Sequence, residues 1–168
     1  MAVTISAMRP SFENKFCQPA DLAVRAASLA QKVVFTNGVF DVLHRGHVTY
    51  LAEARALGAS LIVGLNSDAS VKRLGKGDDR PINTLEDRMA VIASLECVSL
   101  VTWFEEDTPL QRILEARPGV LVKGGDWAID KIVGGAEVTS WGGSVHAIEF
   151  QFERSTTATL ARIRAASK

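Results

Sequence analysis

The stretch Val33-Val34-Phe35-Thr36-Asn37-Gly38-Val39-Phe40-Asp41-Val42-Leu43-His44-Arg45-Gly46-His47 decides how the chain is read. Val33–Thr36, β-branched and aromatic, has the composition of a short buried strand. Asn37 and Gly38 turn the chain, and two histidines then bracket Gly46 where a helix is expected to begin. At i and i+3 of a helix the imidazoles of His44 and His47 lie on about the same face. The unpaired N–H groups and the dipole of a helix N-terminus favour an anion. Gly46, without a side chain, lets a phosphate come close to the backbone. Imidazoles donate to phosphoryl oxygens and, when protonated, offset charge that grows on a leaving group. The segment reads as a site for phosphate chemistry.

Outward from this stretch the chain alternates. The apolar runs predict strands over Val33–Thr36, Ser60–Leu65, Ser99–Phe104, Val120–Lys123 and Ser144–Phe150. The amphipathic runs predict helices over His47–Leu57, Thr84–Leu95, Pro109–Ala116, roughly Ile129–Trp141, and Thr156–Ala166, with a lead-in helix over Leu22–Lys32 capped by Asp21. Short apolar strands separated by helices indicate a parallel sheet covered on both faces. The expected fold is α/β, a single doubly wound, Rossmann-like domain with a five-stranded parallel sheet. Residues 1–31 are expected as an N-terminal arm and lead-in helix, and residues 32–168 as the functional domain.

The length, 168 residues, suits one domain with a real core. A formal net charge of zero argues against a general affinity for nucleic acid or for a membrane surface, so any phosphate binding is local. Cys17 and Cys97 match no metal or redox spacing and read as two unpaired thiols of a reducing compartment. No apolar run approaches the roughly 20 residues that span a bilayer, and the N-terminus does not have the pattern of a signal peptide. A cytoplasmic location is the expectation.

The polar clusters follow the strands. Thr36-Asn37-Gly38 follows the first, Asn66-Ser67-Asp68 the second and Lys123-Gly124-Gly125-Asp126 the fourth; Ser155-Thr156-Thr157 comes shortly after the fifth. In an open parallel sheet the carboxyl ends of the strands form the ligand crevice, so these clusters should share one rim. Several have structural readings as well. Asn37 and Asp41 suit a turn, Asn66 and Asp68 suit a helix cap, Thr84 and Asp87 form a capping box, and Ser155 caps the last helix. Asp41 either orients the histidine loop or contacts an acceptor. No serine or cysteine stands at a spacing that suggests a protein nucleophile, and the glycine pattern of a dinucleotide-binding turn is absent.

The segment GVFDVLHRGH, with FTNGVFD, HRGHVTYLAEARALG, LIVGLNSDASVKRL, RPINTLEDRMAVIASLE, FEEDTP, LVKGGD and STT, resembles the HxGH nucleotidylyltransferase superfamily. Within it the chain resembles the cytidylyltransferase-like branch, and there the adenylyltransferases of heptose 1-phosphates. The resemblance covers about residues 33–160. It implies transfer of AMP from ATP to D-glycero-β-D-manno-heptose 1-phosphate, with Mg²⁺, giving ADP-heptose and pyrophosphate for the lipopolysaccharide inner core, by a homodimer.

The resemblance also implies site roles. His44, His47, Lys123 and Arg88 are the catalytic candidates, with Arg88 turned toward the nucleotide phosphates. Thr36, Asn37, Gly38, Val39, Phe40, Gly46, Gly124, Asp126, Ser155, Thr156 and Thr157 are expected to bind the nucleotide. Lys76 and Arg80, on a basic loop that closes over phosphates, join Asp41, Asn66 and Asp68 as candidates for phosphate and substrate. One departure stands out: cytidylyltransferase relatives carry arginine where this chain has Phe150. The alternatives are a cytidylyltransferase acting on a small polyol or amino-alcohol phosphate, and a non-catalytic nucleotide-binding regulator.

Overall fold

The apolar residues of the strands alternate between two faces, and each face finds its own helices. The computed structural model describes residues 9–75, 77, 79–125, 127–152 and 156–166. Five strands, β1 (Val33–Gly38), β2 (Ser60–Asn66), β3 (Leu100–Phe104), β4 (Val120–Gly124) and β5 (Ser144–Ile148), form one parallel sheet in the order β3-β2-β1-β4-β5. Val34, Leu61, Val63, Val101 and Val122 face helices α2 (Arg45–Ala56) and α4 (Leu85–Ser94), burying Leu51, Ala54, Met89 and Ile92. Val33, Phe35, Ile62, Leu100 and Leu121 face the other way, onto α1 (Leu22–Ala27), α5 (Leu110–Ala116) and α6 (Gly135–Ser140). The period of two sends successive residues to opposite layers, which gives the doubly wound α/β domain.

The sequence order reverses between β1 and β4. The chain leaves β1 for β2 on one side and returns to place β4 on the other, so the connections diverge at the carboxyl ends of this pair. That divergence opens a crevice at the topological switch point. Register pairs Thr36 with Val122 as the last residues joined across β1 and β4, so Asn37 and Lys123 stand just beyond, at its floor.

Local structure departs from the sequence expectations at identifiable points. The lead-in helix stops at Ala27 instead of reaching Lys32, because Lys32 already lies beside the sheet, its carbonyl accepting from Ala59 N at 2.8 Å. A short helix α3 (Asp68–Arg73) follows β2; six residues are too few to carry a periodic signal, and it is fixed by Ser67, whose hydroxyl accepts from Ser70 N at 3.1 Å. The run expected as one helix over 129–141 divides into a 3₁₀ turn (Ile129–Lys131) and α6, because Gly134 adopts φ 85°, a left-handed conformation that no continuing helix admits. The strand expected over Ser144–Phe150 ends at Ile148. Segment 9–21 folds onto the sheet edge, with two 3₁₀ turns, a bridge from Phe16 to Val101, and a buried Cys17 whose N–H donates to Val101 O at 2.9 Å. Both cysteines are free thiols. No described helix is long and apolar enough to cross a membrane.

Leu51, one turn after His47 on α2, is fully buried. Leu51→Ala is expected to lower the unfolding free energy by about 2–5 kcal/mol through lost transfer energy and a residual cavity. Val24→Ala, at a side chain 76% exposed, should stay within about 0.5 kcal/mol. Urea denaturation of both variants checks this.

Candidate active site

The crevice has two lobes that share one wall. The histidine lobe, about 380 Å³, is lined by Phe40, His44, His47, Tyr50, Arg80 and Thr157 among others. The second lobe, about 460 Å³, is lined by Asn66, Phe104, Thr108, Leu121, Lys131 and Ile132 among others. Asn37, Gly38, Val39, Lys123 and Trp127 border both. Lys123 Nζ donates to Asn37 Oδ1 at 3.4 Å across the parted ends of β1 and β4 and lies 5.8 Å from the Trp127 ring centre.

In the histidine lobe the backbone of His44 is extended and caps α2, its carbonyl accepting from His47 N at 2.9 Å. The two imidazoles stack with centres 3.8 Å apart and planes 19° from parallel, and the Phe40 ring meets His47 edge-on at 5.2 Å. Gly46 is buried and makes room for the neighbouring ring: a Cβ there would sit 3.1 Å from His44 Cε1 and Nδ1. The absence of a side chain at Gly46 thus also serves the packing of the His44 ring. The pKa of His47 is lowered to about 4, first by burial and then by the adjacent His44. At neutral pH the His47 imidazole of the free protein is therefore uncharged.

Phe40 occupies the left-handed region at φ 47°, a strained conformation for a bulky residue. The neighbouring loop is held by a buried ion pair, Arg80 with Asp41, and by a buried arginine, Arg88, whose partner Asp68 is partly exposed. The Asp41 carboxylate receives Arg80 Nε at 2.6 Å, Ile82 N at 2.9 Å and Asn83 N at 2.8 Å, while Asn83 Nδ2 donates to the Asp41 carbonyl at 2.6 Å. Burial alone would raise the Asp41 pKa; the N–H groups of Asn83 and Ile82 and the Arg80 guanidinium outweigh it, and the pKa is lowered. The Asp41 carboxylate is thus engaged by the protein's own donors, at the edge of the histidine lobe.

Arg88 has a different position from the one the resemblance implied. Its side chain has no solvent exposure, and it donates to Val39 O at 2.9 Å, Asn83 O at 3.2 Å and Asp68 Oδ1 at 2.7 Å. Walled off from both lobes, it ties the β1–α2 loop to the start of α4. That start is capped as expected, Thr84 Oγ1 accepting from Asp87 N at 3.3 Å. Asp68 lines neither lobe.

Thr36 is also beneath the crevice, fully buried and hydrogen-bonded to the Tyr50 hydroxyl. Gly124 borders the histidine lobe, where a Cβ would meet Phe150 Cζ at 2.7 Å. Thr156 begins α7 (Thr156–Ala166), and its hydroxyl donates to Val42 O at 3.2 Å, which brings the N-terminus of this helix against the histidine loop. Thr157 lines the lobe. Lys76, Asp126 and Ser155 lie outside the described residues. Sequence reasoning did not single out Tyr50, three residues after His47 on α2; that helical spacing was the available signal. Trp127 borders both lobes.

Two helix N-termini, a histidine pair and an arginine around one lobe of an α/β switch-point crevice define a protein that binds a phosphate-bearing ligand. Residues 35–164 match the cytidylyltransferase-like family model, and the chain belongs to that family. It is 57% identical over 155 residues to a D-beta-D-heptose 1-phosphate adenylyltransferase of Bordetella bronchiseptica, covering 91% of this chain and 96% of that one. It is 54% identical over 140 residues to the bifunctional protein HldE of Hahella chejuensis, covering 83% of this chain but 29% of that longer protein. A solved structure, the lipopolysaccharide core biosynthesis protein from Thermoplasma volcanium, superposes with a TM-score of 0.58 at 27% identity, covering 73% of this chain and 98% of that one. A pantoate-beta-alanine ligase from Francisella tularensis shares the fold, with a TM-score of 0.55 at 13% identity over 87% of this chain and 72% of that one.

Two outcomes follow from the site. Asp41→Asn places an amide N–H₂ among groups that are all donors, and is expected to lower stability by about 3–5 kcal/mol, the range for breaking a buried ion pair, measured by denaturant unfolding. The unfolded chain protonates His47 near pH 6.5 but the folded protein only near 4, so stability present above pH 6.5 is lost as pH falls through that window. In an NMR titration the His47 ring should stay neutral at pH 5.5; a midpoint near 6.5 contradicts the lowered pKa of this half-buried ring.

Proposed function

We propose that this protein is an ATP-dependent nucleotidylyltransferase that transfers AMP to D-glycero-β-D-manno-heptose 1-phosphate, giving ADP-heptose and pyrophosphate for lipopolysaccharide inner-core synthesis. The observation that carries this reading is the 57% identity, over nearly the full length of both chains, to a heptose 1-phosphate adenylyltransferase. The chemistry of the crevice supports it independently. In the reaction an oxygen of the sugar phosphate, already ionised at neutral pH, attacks the α-phosphorus of ATP, and the bond to the β-phosphate oxygen breaks as pyrophosphate departs. Such a step needs two anions held in line and charge stabilised on the phosphoryl oxygens, with no protein nucleophile.

In this reading the triphosphate occupies the histidine lobe. His47 and His44 donate to its oxygens, the N-termini of α2 and α7 face it, and Thr156 and Thr157 stand at the second of these. Arg80, fixed by Asp41, supplies a positive charge at the lobe wall. Lys123, on the shared wall, is placed to touch both phosphates as they meet. Asn37, Gly38, Val39, Phe40 and Gly124 shape the lobe, and Lys76, Asp126 and Ser155 belong to the same nucleotide and phosphate set. Arg88 and Asp41 act as positioning residues.

Mg²⁺ is part of the proposal as MgATP. Among the described residues no three His, Cys, Asp or Glu side chains gather to hold a metal, and the Asp41 carboxylate is taken up by its own donors. These residues fit a cation carried by the triphosphate, the usual habit of Mg²⁺, where it offsets phosphate charge. A homodimer in the cytoplasm, with residues 32–168 as the transferase domain, completes the reading.

Pyrophosphate release should be seen with ATP and heptose 1-phosphate, and not with CTP and glycerol 3-phosphate. Turnover confined to CTP overturns the assignment. His47→Ala should lower kcat by about 100- to 1,000-fold, the scale for losing a donor to a transition-state oxyanion; unchanged turnover contradicts the role given to the histidine.

A further inference from the structure

The second lobe is not needed for the triphosphate, yet it shares a wall with the lobe that is. We infer that it is the subsite for the acceptor's sugar ring, and that Asn66 reads one sugar hydroxyl there with a side-chain carbonyl locked in orientation. This rests on the reading of the protein as a sugar 1-phosphate nucleotidylyltransferase and extends it to acceptor recognition.

In-line displacement puts the attacking oxygen and the departing pyrophosphate on opposite sides of the α-phosphorus. With the pyrophosphate held by the histidines and the helix N-termini, the acceptor must approach from across the Asn37–Val39 and Lys123 wall, and the second lobe is the space on that side. Its volume, about 460 Å³, falls within the range of small-molecule sites. Its lining joins apolar Phe104, Leu121 and Ile132 to the polar groups of Asn66, Thr108 and Lys131, a mixture suited to the faces and hydroxyls of a sugar.

Asn66 ends β2 and is 6% exposed. Its Nδ2 donates to Ser70 Oγ at 3.0 Å, and that hydroxyl donates its only proton onward to Glu106 O at 3.0 Å. Turning the amide over would set Oδ1 against an oxygen whose proton is already committed, so the orientation is fixed. Asn66 Oδ1 has no hydrogen-bond partner among the described residues. It stands as an acceptor at the cavity wall, aligned before the ligand arrives, and a ligand hydroxyl satisfies it. A buried polar group that loses its partner strongly disfavours an acceptor lacking that hydroxyl.

The test is steady-state kinetics on the full chain with ATP and heptose 1-phosphate, together with ATP binding by calorimetry. Asn66→Ala should raise KM for the sugar phosphate at least 10-fold while leaving KM and Kd for ATP within about twofold. Ser70→Ala, which frees the amide to turn, should raise the sugar phosphate KM several-fold with ATP again unchanged. Asn66→Asp preserves shape and keeps an acceptor but loses the donor to Ser70, and should fall between the two. An unchanged sugar phosphate KM overturns the inference, and so does equal weakening toward ATP or loss of ATP binding in all three variants. Wild-type turnover is the separate test of the functional reading; should the wild type prefer another sugar or polyol phosphate, the same KM split is measured against that acceptor.

Discussion

The crevice depends on a carboxylate that is buried and fully used. Transferring a carboxylate and a guanidinium out of water costs several kcal/mol for each ion, and Asp41 recovers that cost only because Arg80, Ile82 and Asn83 all donate to it. The same few residues are gripped from the other side, where Arg88 pulls on the carbonyls of Val39 and Asn83. Between the two ion pairs the chain has little freedom, and Phe40 is held at a positive φ. Its ring then braces His47, which stacks on His44. The histidine geometry is thus the last link of a chain of contacts that begins at a carboxylate with no solvent exposure.

The sheet supplies the second constraint. Parallel strands need crossover connections, and reversing the direction of those connections between β1 and β4 leaves a gap at the carboxyl ends of the pair. Asn37 and Lys123, the first residues beyond the paired register, face each other across it. In the proposed reaction the two phosphates would meet at this gap, held in line by the groups on either side of it. The lowered pKa of His47 fits that scheme, since a neutral ring can donate to an incoming polyanion without first attracting unrelated anions, and a bound triphosphate would favour its protonation.

Much of this was legible in the sequence because strand and helix periodicities are strong signals over long windows. The five strands, the parallel order of their clusters and the capping box at Thr84 were read directly from residue spacing. The shared rim was legible too: Asn37, Gly38, Lys123, His44, His47 and Thr157 converge as the clusters after the strands implied. What could not be read depends on three-dimensional partners. An arginine three residues after Leu85 looks the same in sequence whether it faces a phosphate or, as Arg88 does, two carbonyls and Asp68. The break at Gly134 and the short α3 turn on one backbone angle and one hydroxyl cap, signals too local for periodicity to detect.

The central claim is that the shared wall separates a polyphosphate lobe from an acceptor lobe, with the histidines marking the former. A crystal structure with a non-hydrolysable ATP analogue, α,β-methylene ATP, tests this most directly. The account predicts the triphosphate against His44, His47 and the N-terminus of α7, with Arg88 still bonded to Val39 and Asp68 and the Asn66 lobe free of nucleotide. A triphosphate lying in the Asn66 lobe, or an Arg88 turned out to bind it, would contradict the account.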